Sequence, residues 1–147
     1  MKSVIATDCE AMMSRIANIE QKSELVIALA REFITLVQRI APTWKQGFWR
    51  FESEDARYGS NASYVDAKGV FLIDTFEEED CFDLMNSLAR KLWEAEPEPS
   101  KRFCVCLLVI ESTFDYKIKF EMVDPSKWKI TKLDGGTGLP AGYEDLA

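Results

Sequence analysis

The chain predicts an α+β fold: an N-terminal helix or helix pair, a three-stranded antiparallel meander, a second helix and a β-hairpin, with the helices packed on one antiparallel sheet. Three observations lead there. Apolar residues recur at helical spacing through the first forty residues and again from Cys81 to Trp93. Between Trp44 and Asp74 short aromatic and β-branched runs are separated by turn residues. From Asp115 to Val123 apolar and polar residues alternate strictly. Such an order of elements suits two packed layers around one core. At 147 residues, 47% apolar and 29% charged, the chain fits one globular domain able to bury a real core.

Taken in order, Thr7 and Glu10 have capping-box spacing at a helix start, followed by Cys9, Met12, Met13, Ile16 and Ile19. A second series runs Leu25, Leu29, Phe33, Leu36 and Ile40, and Pro42 ends it. Either one long helix or two pieces broken near Gln21–Ser23 fit this pattern; a short first piece and a strong second one is the favoured reading. Trp44 to Glu52 reads as a strand, Arg57 to Asn61 as a turn, and Ala62 to Asp66 as a second strand. Ala67-Lys68-Gly69 makes a hairpin connection into a third strand, Val70 to Asp74.

Thr75 with Glu78 repeats the capping-box spacing, and Glu77, Glu78, Glu79 and Asp80 fill the first turn of the next helix, where the dipole favours anions. Its apolar face is Cys81, Leu84, Met85, Leu88, Leu92 and Trp93, and Pro97 and Pro99 end it. Phe103 to Glu111 is apolar nearly throughout, as a central strand covered on both faces would be. Ser112–Phe114 turns it into the alternating strand Asp115 to Val123, which keeps one wet face. Residues 1–134 are read as the domain and the glycine-rich 135–147 as a flexible tail.

Charge is the most informative property after fold. Between Asp74 and Glu98 stand nine acids and two bases, so this stretch alone carries the net charge of −7. A charge gathered on one element makes a local field suited to a basic partner. It argues against unaided binding of nucleic acid or anionic lipid. The chain has no histidine, which removes the commonest general base and metal ligand and any serine–histidine nucleophile. Consecutive helical residues point about 100° apart, so Glu77 to Asp80 cannot converge on one ion, and no calcium-loop pattern is present. Cys9, Cys81, Cys104 and Cys106 form no metal-binding spacing and read as buried reduced thiols; Cys104 and Cys106 should share one strand face. Gly135, Gly136 and Gly138 lack the lysine of a phosphate loop. No cofactor and no metal are expected, and no enzymatic role. With no signal-peptide core and no apolar run of membrane length, the expected location is the cytoplasm.

The candidate partner-binding residues are therefore Asp74, Glu77, Glu78, Glu79, Asp80 and Asp83. Trp49 and Trp128 join them as aromatic anchors, Trp49 on the condition that one sheet face is free of helices. Trp44 and Tyr143 are further anchor candidates.

Two stretches also carry a resemblance. Ile40-Ala41-Pro42-Thr43-Trp44-Lys45 closes the leading helix, and the late strand reads Phe114-Asp115-Tyr116-Lys117-Ile118-Lys119-Phe120-Glu121. With the acidic leucine-rich helix between them, Glu24 to Asp124 resembles the YezG-like family of bacterial immunity proteins. These are small acidic antitoxins that neutralise the nuclease tip of a toxin delivered between competing cells. The resemblance implies tight binding of a cognate, basic toxin nuclease in the cytoplasm, without catalysis; monomer and homodimer both fit the sequence. After Asp124 the chain departs from the pattern, with Pro125-Ser126-Lys127-Trp128 and a glycine-rich end in place of a basic aromatic helix. The same order of elements is similar to acidic type III secretion chaperones, which bind an effector segment, though no final helix is evident. A carboxylate-dependent hydrolase is a remoter alternative.

Overall fold

The computed structural model describes the backbone of residues 4–143 and the side chains of residues 9–143. Helix α1 spans Val4–Ile40 without interruption. The expected break near Gln21–Ser23 does not occur, because no glycine or proline precedes Pro42 to stop propagation. Thr7 accordingly lies inside the helix and not at its cap; its side chain falls outside the described residues.

Strands β1 (Gln46–Ser53), β2 (Tyr58–Asp66) and β3 (Gly69–Leu72) follow, then α2 (Glu79–Glu94), β4 (Val105–Glu111) and β5 (Tyr116–Glu121). All strand pairings are antiparallel, in the spatial order β3-β2-β1-β4-β5. The polar run Tyr58–Asn61, expected as a turn, is the first half of β2 and pairs with Arg50 to Ser53. Tertiary bonds override its local preference. Ser60 bonds the Asn86 amide oxygen of α2, and the Asn61 amide donates to the Ile130 carbonyl. The turn itself lies at Glu54–Arg57, where the Arg90 guanidinium binds Ser53 Oγ and the Glu54 and Asp55 carbonyls.

One core forms between the sheet and the two helices. Leu29, Phe33, Leu36 and Val37 of α1 and Phe82, Met85, Ala89, Leu92 and Trp93 of α2 meet Trp49, Phe51, Cys106, Leu108 and Ile110. Leu84, expected on this face, is exposed. Gly47 has to lack a side chain: a Cβ there would sit 2.9 Å from Ile110 Cγ1 and 3.2 Å from Phe33.

A second core lies on the opposite face of the sheet. Phe48, Val105, Leu107 and Val109 point away from the helices and are covered by Trp128, Ile130, Leu139 and Tyr143. β4 is thus covered on both faces. Residues 135–143, expected as part of a loose tail, belong to this cover. The Gly138 amide bonds the Thr131 carbonyl, that of Ala141 bonds Lys129, and Tyr143 is buried. The segment is held by Arg50, whose Nε donates to the Lys127 carbonyl and Nη2 to that of Pro125, each at 2.8 Å.

The cysteines need correction as well. Cys106 is buried in the helix-side core, Cys81 and Cys104 are half-buried, and Cys9 is exposed. Cys104 packs toward the second core together with its neighbour Val105, so alternation breaks just before β4 and the two thiols face opposite sides.

Candidate functional site

The acidic stretch begins where β3 ends. The buried Ile73 holds the chain to β2 through its amide bond to the Ala62 carbonyl. Asp74 then folds the link over: its Oδ1 accepts the amides of Phe76 (2.8 Å) and Glu77 (3.2 Å), and its carbonyl accepts the Glu78 amide. This Asx turn delivers the chain into α2. The capping box expected from Thr75 and Glu78 is not formed; Glu78 is the cap residue and makes no side-chain cap bond. The aspartate wins because its side chain reaches two free amides from one position earlier.

Six acids were expected to face a partner, and they divide. Glu78 turns inward and is bound by both terminal nitrogens of Arg39, in the last turn of α1; Arg39 also approaches Cys81 Sγ. That carboxylate is committed to the protein's own arginine. Asp74, Glu77, Glu79, Asp80 and Asp83 are exposed and have no ion-pair partner among the described residues. Glu79, Asp80 and Asp83 lie within one third of the α2 circumference, opposite Met85 and Leu92, so their charges add on one flank. Glu77, Glu78, Glu79 and Asp80 line an open depression of about 430 Å³ with Arg39 and Phe76; Asp74 and Asp83 lie outside it.

The aromatic anchors fall elsewhere. Trp49 is 0% exposed, stacked on Phe51 beneath the helices, and Trp128 is 7% exposed in the second core. Trp44 and Tyr143 are buried too. One sheet face is free of the two α-helices, as the Trp49 reading required, but Trp49 lies on the other face, and the helix-free face is covered by the C-terminal segment. The exposed aromatic in this region is Phe76, 88% exposed, with Asp74, Glu77, Glu79 and Asp80 close by in sequence. A signal for it existed: Phe76 falls outside the apolar spacing of α2, which resumes at Phe82 and Met85.

Among the described residues no three cysteine, aspartate or glutamate side chains are grouped to hold a metal ion. Cys104 lines a cleft of about 530 Å³ with Glu52, Glu54, Arg57 and Tyr58, but burial and the neighbouring Glu121 push its thiol pKa up, which disfavours the nucleophilic thiolate. No described helix is long and apolar enough to cross a membrane. Comparison of the sequence with models of protein families and with curated proteins found no match.

Proposed function

We propose that this is an immunity protein of bacterial toxin systems, a non-catalytic inhibitor that binds the basic nuclease domain of a cognate toxin in the cytoplasm. The observation that carries this reading is the flank formed by Asp74, Glu77, Glu79, Asp80 and Asp83. These five exposed carboxylates have no ion-pair partner among the described residues, and Glu77, Glu79 and Asp80 line one depression with the exposed Phe76. Helix capping accounts for two or three acids at an N-terminus; further ones repel each other at a cost to stability. A cation-rich partner that displaces water from the flank removes that repulsion. Complementary charge speeds encounter and selects the partner, while a desolvated aromatic at the centre supplies affinity. Glu78 is assigned to holding α2 against α1 instead of to the partner.

The test uses the cognate toxin nuclease domain, to be sought in the reading frame that neighbours this gene. Glu77→Lys with Glu79→Lys should slow association about tenfold at low salt and flatten its salt dependence. Phe76→Ala should raise Kd about 30-fold through faster dissociation, from roughly 2 kcal/mol of lost apolar burial. Unchanged rates for both variants would reduce the acidic flank to a solubilising cap.

A further inference from the structure

Helix α1 carries two apolar faces, and the subunit uses only one. Leu29, Phe33, Leu36 and Val37 are buried against sheet and α2. A second stripe, roughly 100° around the helix, runs Met12, Met13, Ile16, Ile19, Ile27 and Ile34. Its first four side chains are 49 to 70% exposed. They stand on an overhang, since every residue from Cys9 to Ala17 is exposed and Asn18 and Lys22 tie the helix to Ala95 and Glu96 at the far end of α2. A helical arm in water gains nothing from such a stripe.

A matching vacancy lies farther along the same face. β5 is an edge strand, and α1 packs over β1 and β4, so the helix layer stops short of it. Phe114, Tyr116, Phe120 and Met122 remain 43 to 57% exposed. Between α1 and the β4–β5 turn runs an open groove of about 600 Å³, with Ile27, Ala30 and Ile34 on one side and Phe114 and Tyr116 on the other.

We propose that a second copy of this chain covers both features: the two α1 helices pack antiparallel about a two-fold axis at Ser23, and each overhang lies in the other's groove. The register follows from the sequence. Eleven positions separate Met12 from Ser23 and eleven separate Ser23 from Ile34, arms of about 16 Å each. In this register Met12 comes level with Ile34, Ile16 with the small Ala30 on the groove floor, and Ile19 with Ile27. An isologous contact requires that self-complementarity. Phe120 and Met122 share a hollow with Lys22, so they come level with the axis and cover each other.

The area supports this occupant. Nine large apolar side chains of stripe, groove and edge strand stand about half exposed, which at about 100 Å² each is on the order of 900 Å² per subunit. That matches the about 800 Å² per partner of a stable interface. The dimer leaves the acidic flank open, because Arg39, which binds Glu78, lies roughly 140° around α1 from the stripe. The inference is independent of the toxin reading.

Light scattering on the full chain at micromolar concentration tests it. The expected mass is twice 16.8 kDa, and Ile16→Glu on the stripe and Ile27→Glu on the groove should each reduce it to that of one chain with helical circular dichroism retained. In a Cys9→Ser background, Ser23→Cys should oxidise to a covalent dimer, while Ser87→Cys on the exposed side of α2 should not. A wild-type mass of one chain, a dimer indifferent to Ile16→Glu, or a dimer that Ser23→Cys cannot cross-link overturns the proposal. So does a single chain whose groove seats an extended effector segment.

Discussion

Replacing Arg50 by methionine separates the pin of the C-terminal segment from its apolar packing. The Arg50 side chain is 6% exposed; its guanidinium bonds the Pro125 and Lys127 carbonyls at 2.8 Å each and has one carboxylate, Glu52, at 3.6 Å. Burial lowers its pKa, with Glu52 opposing, so the charge is held at a desolvation cost. Two charge-assisted bonds contribute about 3–6 kcal/mol together. Removing the cation recovers part of that, because several kcal/mol of desolvation penalty vanish with it. The net expected loss is about 2 kcal/mol, with methionine keeping the apolar stem in place. Urea unfolding should show a lower midpoint at unchanged slope, and amide exchange from Lys127 to Tyr143 should accelerate about 30-fold. Arg50→Lys should lose nearly as much, since an ammonium cannot span both carbonyls. Full stability with unchanged exchange in the methionine variant would refute the assignment of Arg50 as the pin.

Three further outcomes are expected. Asp74→Ala should cost about 1 kcal/mol in thermal or urea unfolding, whereas Thr75→Ala should stay within about 0.5 kcal/mol; the reverse order would restore the Thr75 cap. The Glu121 carboxyl is held down to about 2 by the amides of Asp124 and Val123 and by the Lys127 ammonium, against an ordinary 4.5. Because its folded pKa is depressed, its contribution is fully present above about 4.5 and is lost as pH falls toward about 2. An acid titration of stability should therefore be shallower for Glu121→Gln. Gly136→Ala would drive a Cβ into the Thr131 carbonyl, so near-ultraviolet dichroism of Trp128 and Tyr143 should weaken while far-ultraviolet signal persists.

Legibility followed range. The alternation of β5 and the apolar spacing of α2 are repeats a few residues long, and both elements are where those repeats lie. Pro42 ends α1 for a reason contained in its own ring and in the residue before it. Tyr58–Asn61 misled because its bonds to Asn86 and Ile130 join residues 26 and 69 positions apart. Glu78 misled likewise: nothing near it in the chain announces Arg39, 39 positions earlier.

What the sequence alone determined is the kind and order of elements and the concentration of negative charge after β3, since both depend on neighbours along the chain. The tertiary structure decided which carboxylates remain without partners, that Trp49 and Trp128 are interior while Phe76 is not, and that the last residues seal the second face of the sheet. Burial depends on what lies across a strand, and that is set by packing between segments far apart in the chain.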